Sequence, residues 1–113
     1  MTAPVRIPAP PKDLGSEGRT LWRTVLAKWE TDERELLVIA DACRQADRAA
    51  EAREVIASEG VVVPGATGGV KPNPAVQIEA TAMAMVGRLL ASVGIKTERE
   101  RDSAGRYAPL RAV

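Results

Sequence analysis

A mainly α-helical fold, with three helices, one of them a long central helix, and a small β-hairpin between the second and third, is predicted by three features of the sequence. Residues 30–59 run without a Gly or Pro. Apolar residues before, within and after that run recur at spacings of three and four, the repeat of one helix face. Between the second and third periodic segments lies VVVPGATGGVKP, in which β-branched residues flank a glycine-rich turn. Ala, Val and Leu dominate a chain with 3% aromatic residues and no Phe, so the predicted core is aliphatic, small and built from helices that pack through short side chains. With 113 residues the chain fits one domain.

Residues 1–15 are expected to be a proline-rich N-terminal arm. Prolines at 4, 8, 10 and 11 each remove a backbone donor and restrict the preceding residue, which excludes a helix there. The helical and oligomerisation core is predicted over 16–95. Its first helix runs from Ser16 to about Trp29, with Leu21, Trp22, Val25, Leu26 and Trp29 on one face despite Gly18, and Arg19, Arg23 and Lys28 on the other. The second helix opens at TDERE, where Thr31 or Asp32 serves as N-cap and Glu35 completes a capping box with Asp32. Its stripe is Leu36, Ile39, Ala40, Cys43, Ala46, Ala50 and Ile56. Asp41, Arg44, Asp47, Arg48 and Glu51 offer opposite charges three residues apart, and Gly60 ends the helix. Residues 61–72 are predicted as the hairpin. Asn73 and Pro74 make a helix start, and Val76, Ala80, Met83, Val86, Leu90 and Val93 give the third helix an apolar face that Gly94 stops. Residues 96–113 are charged and lack an apolar face, and are expected to be a flexible tail.

The glycine-rich stretch carries a lysine, which invites comparison with a phosphate-binding loop. Such a loop needs its lysine directly after the last glycine, followed by Ser or Thr and then a helix. Here Val70 separates Gly69 from Lys71, no Ser or Thr follows, and two prolines intervene, so the stretch reads as a turn. No cofactor is expected. With no histidine, no paired Cys/His or Ser/Lys, and one cysteine set within an apolar stripe, no nucleophile meets a base. Asp32 and Glu35 read as caps rather than metal ligands, and Trp22 and Trp29 as core anchors rather than base-stacking platforms. The reading is that of a non-enzyme. A single cysteine without a partner, no apolar run of membrane-spanning length and no signal-like start lead to the expectation of a cytosolic protein without membrane contact.

The net charge is +1, but it is unevenly placed: +3 over residues 1–29, −5 over 30–60, +1 over 61–95 and +2 over 96–113. The basic residues Arg6, Lys12, Arg19, Arg23 and Lys28 are candidates for facing DNA phosphates. The acidic second helix is a poor element to enter a negatively charged groove.

Residues 10–95 combine Pro11, Leu14 and Gly18 leading to Leu21 and Trp22; a helix opened by TDERELLVIADACRQADRAAE; then EGVVVPGATGGVKPNPAV; and a helix ending RLLASVGI. In order and spacing this resembles the short family of small terminase subunits from tailed bacteriophages and prophages. The resemblance implies a non-enzymatic packaging factor, acting in the host cytoplasm during virion assembly. Such a factor forms a ring-like homo-oligomer, recognises double-stranded viral DNA and recruits a large subunit carrying the ATPase and nuclease. Longer small subunits carry an N-terminal helix-turn-helix domain, whereas only a proline-rich arm precedes the first helix here. On this reading Leu36, Ile39, Cys43, Ala46, Ala50, Met83, Val86 and Leu90 are oligomer or core contacts. Arg99, Arg101, Arg106, Tyr107 and Arg111 of the tail are candidates for docking the large subunit. A helical protein–protein adaptor and a small DNA-binding transcriptional regulator are the alternatives that composition and pattern leave open.

Overall fold

A computed structural model describes residues 7–95. The elements are α1 (Ser16–Leu26), α2 (Glu33–Glu59), β1 (Val62–Pro64), β2 (Val70–Pro72) and α3 (Pro74–Ser92). The fold is the expected one of three helices with a two-stranded hairpin between the second and third.

Local chemistry sets each boundary. Asp32 caps α2: its side chain accepts from the Glu35 N–H at 2.8 Å, while the Glu35 carboxylate accepts from the Asp32 N–H at 2.8 Å, a reciprocal capping box. Twenty-seven residues follow without a breaker, a rod of roughly 40 Å at 1.5 Å per residue. At the far end of α3, Gly94 at φ +86° donates to Ala91 O and Ile95 N–H reaches back to Leu90 O at 2.9 Å. These are the two bonds of a Schellman motif. Its hydrophobic contact is supplied by Ile95, which is buried in the main core.

Arg53 near the end of α2 meets Glu79 near the start of α3, whereas Leu36 and Ile39 at the start of α2 share a core with Leu90 and Val93 at the end of α3. The two long helices are therefore antiparallel. α1 lies along the first half of α2 only. Its start touches Asp47 and Cys43, and its end packs Trp22, Val25 and Leu26 with Ile39 and Ala40. The main core sits at this three-helix end. The other half of the α2–α3 pair closes through alanines, with Ala49, Ala52, Ala75 and Ala82 all buried.

The expected extents differ from the structure in two places. α1 stops at Leu26 because the next donors turn inward: Lys28 N–H bonds the Val25 carbonyl three residues back. Trp29 then packs its half-buried ring on the core from outside the helix. On α3 the face turned inward is Ala75, Ala82 and Val86, while Val76, Ala80 and Met83 of the expected stripe are exposed. Interhelical distance follows the side chains at the contact. The buried alanines of α2 favour the α3 stripe made of small residues over the one carrying Val76 and Met83.

The hairpin pairs Val62 with Pro72, Val63 with Lys71 and Pro64 with Val70, and closes through Gly65 N–H to Gly69 O at 2.7 Å, with Gly68 at φ +86°. A two-stranded hairpin is marginal alone, and Asn73 supplies the clasp that ties this one down. This buried side chain caps α3 through Ala75 N–H at 3.0 Å and donates to Gly60 O at 2.8 Å, while its own N–H donates to Val61 O at 2.8 Å.

Candidate nucleic-acid interface

The N-terminus of α1 carries orphan N–H donors, and its own N-cap residue, Gly15, has no side chain to satisfy them. The cap comes from another helix. Asp47 of α2 accepts from Gly15 N–H at 2.7 Å and from Gly18 N–H at 2.8 Å, placing a carboxylate at the positive end of the α1 dipole. Gly18 is what permits this approach. A Cβ at position 18 would lie 2.5 Å from Asp47 Oδ2 and 2.8 Å from the Cys43 carbonyl oxygen. Just before the helix, Arg44 binds Asp13 through Nε at 2.7 Å and also holds Asp41 at 2.8 Å. The Trp22 indole N–H donates to Pro8 O at 2.8 Å and fastens residues of the arm to the buried face of the same helix.

Clamped in this way, α1 turns Arg19 and Arg23, one helical turn apart, to solvent, with Lys28 exposed in the turn that follows and Lys12 exposed before it. None of the four makes an ion pair among the described residues. Arg6 of the expected DNA-facing set lies outside the described residues, as do the tail residues Arg99, Arg101, Arg106, Tyr107 and Arg111. Trp22 is buried and Trp29 half-buried, so both rings belong to the core. Of the expected packing residues, Ile39, Cys43 and Val86 are buried, Leu36, Ala46, Ala50 and Leu90 half-buried, and Met83 exposed. Burial, aided by the nearby Asp47 carboxylate, pushes the Cys43 thiol up to about 12, which keeps it protonated at neutral pH.

Sequence pattern does not single out Asp47 or the Asp13–Arg44 pair. Asp47 reads along the helix as one charge among alternating neighbours, yet it turns toward α1. The signal that points to it is Gly18: a glycine inside a helical repeat often marks close approach of another group. The hydrogen bond to Arg44 holds the Asp13 carboxyl below its ordinary value of 3.8. Its stabilising contribution is therefore present at neutral pH and lost as pH falls through that lowered value. In an NMR pH titration Asp13 should titrate below the ordinary aspartate value of 3.8, and Arg44→Gln should raise it.

A family model described as phage terminase, small subunit, matches residues 18–106. The chain belongs to the phage terminase small-subunit family. Searches of curated proteins and of solved structures gave no match. The matched segment opens at Gly18, the residue packed under Asp47, and takes in most of α1, all of α2, the hairpin and α3. Lys12 and Arg6 precede it, and Tyr107 and Arg111 follow it. Among the described residues of this terminase small subunit, no helix is long and apolar enough to cross a membrane, and no group of three or more Cys, Asp or Glu stands close enough to hold a metal ion.

Proposed function

We propose that this chain is the non-catalytic recognition factor of a phage DNA-packaging machine, working in the host cytoplasm during virion assembly. It binds double-stranded viral DNA, recruits and regulates the large subunit that carries the ATPase and nuclease, and works as a ring-like homo-oligomer. The family match over residues 18–106 carries this reading. Lys12, Arg19, Arg23 and Lys28, on and beside α1, are exposed and make no ion pair among the described residues, which supports a DNA-facing role for that side; Arg6 joins them on its charge alone. Repetition of a weakly basic surface around an assembly supplies multivalency that a single copy lacks. The acidic α2 faces away from DNA. The tail with Arg99, Arg101, Arg106, Tyr107 and Arg111 docks the large subunit.

Salt dependence tests the placement, because every phosphate that the protein no longer neutralises lowers the slope of log affinity against log salt by about 0.9. The double variant Arg19→Glu/Arg23→Glu should weaken duplex binding roughly tenfold or more and flatten that slope by roughly 2 per bound subunit, with the mass of the assembly unchanged. Wild-type affinity and slope in the variant would remove α1 from the DNA interface.

A further inference from the structure

Arg48 is the exception to the acidic face that α2 otherwise turns away from DNA. Past the start of α1 the carboxylates of Asp13, Glu17, Asp47, Glu51 and Glu54 line one groove, and Arg48 is not part of that lining. It is exposed and makes no ion pair among the described residues, although Glu51 stands three positions on.

Two links between α1 and α2 place it. Gly18 N–H donates to Asp47 at 2.8 Å, and Arg19 and Arg48 are the residues that follow these two partners. α1 runs antiparallel to α2, its start meeting Asp47 and its end Ile39 and Ala40. Viewed along one axis, antiparallel helices wind in opposite senses, so the residues next after two facing positions turn to the same side of the pair. Arg23, one turn from Arg19, continues that side, while half-buried Leu21 packs on the core from the opposite flank of α1. The second link is Asp13 with Arg44. Lys12 precedes Asp13 and Arg48 lies one turn beyond Arg44, so the two cations flank one ion pair. α3 is on the far side of α2, where Arg53, about 140° round the helix from Arg48, meets Glu79.

Arg44 holds both Asp13 and Asp41. Lys12, Arg19, Arg23 and Arg48 are exposed, and none of the four makes an ion pair among the described residues. Resting on the DNA-facing reading of α1 above, we infer that Arg48 is a further DNA contact and that the duplex backbone lies across the α1–α2 edge, with phosphates on Arg48 of α2 as well as on Lys12, Arg19 and Arg23. These cations stand on the flanks of two packed helices rather than on a helix free to enter a groove, so they engage phosphates and not base edges.

The test is duplex binding by the full chain across a salt series, with a genome-end duplex and a scrambled one of equal length. Arg48→Gln should lower the affinity for both alike, roughly fivefold near physiological salt, and flatten the slope of log affinity against log salt by about 0.9 per bound subunit. Arg48→Lys keeps the charge and should stay within about twofold of the wild type. Arg88→Gln removes the same charge from α3, where Arg88 is exposed and without an ion pair among the described residues, and should leave affinity and slope unchanged. Wild-type affinity and slope in Arg48→Gln, a loss confined to one duplex, or an equal loss in Arg48→Lys or Arg88→Gln overturns the contact; Arg19→Glu/Arg23→Glu then decides separately whether α1 faces DNA. A wild-type chain that binds no duplex overturns the DNA-facing reading and the contact with it.

Discussion

Replacing Gly18 with alanine is expected to destabilise the protein by about 2 kcal/mol, even though alanine is the strongest helix former and gains up to about 1 kcal/mol over glycine in an ordinary helix. The reason is steric. A Cβ would lie 2.8 Å from the Cys43 carbonyl, which is backbone of a helix interior, and 2.5 Å from an oxygen of Asp47, whose carboxylate is already engaged with two N–H donors. Neither moves without cost. Gly18→Val should be worse, since its branched side chain meets the same wall. Urea denaturation measures the effect, and the thermal midpoint should fall by roughly 10 °C for the alanine variant. A variant as stable as the wild type would mean that α1 does not sit this close to α2.

Removing the carboxylate is the complementary experiment. Asp47→Ala deletes a cap that satisfies two donors at once with a charged acceptor, and the expected destabilisation is about 2 kcal/mol. Asp47→Asn keeps one acceptor oxygen and should be milder. In the Asp47→Ala background one of the two obstacles at position 18 is gone. Gly18→Ala should then cost less than in the wild type without becoming free, because the Cys43 carbonyl remains. Strict additivity in this double-mutant cycle would contradict the contact. Hydrogen exchange gives a local readout. Protection of the Gly15 and Gly18 amides should collapse in Asp47→Ala while that of α3 is kept, since the helix that presents Arg19 and Arg23 is fastened to α2 at this point.

These two residues also show where the sequence is legible. Cap chemistry is local, so Asp32 with Glu35, Asn73 with Pro74, and Gly60 and Gly94 can be read directly, and with them the ends of α2, the hairpin and α3. The inward face of α3 is legible only in its second half, where Val86, Leu90 and Val93 turn inward as expected while Val76, Ala80 and Met83 do not. That helix carries two apolar stripes, and the choice between them depends on the alanine surface of α2, which becomes a partner only after folding. The same holds for Asp47: nothing within a few residues distinguishes it from Asp41, and its role depends on a glycine 29 positions away. At the candidate interface, Arg19, Arg23 and Lys28 are legible as the charged side of an amphipathic helix. What fixes that side outward, the Asp47 cap, the Asp13–Arg44 pair and the Trp22 bond to Pro8, consists of long-range contacts that periodicity does not encode.

The most direct test of the packaging reading is a competition binding measurement with the full wild-type chain across a salt series, using duplex DNA from the ends of the genome that encodes it and a scrambled duplex of equal length and composition. The expected result is steeply salt-dependent binding with a preference of at least about tenfold for the genome-end duplex at moderate salt. Absence of duplex binding even at low salt would contradict it.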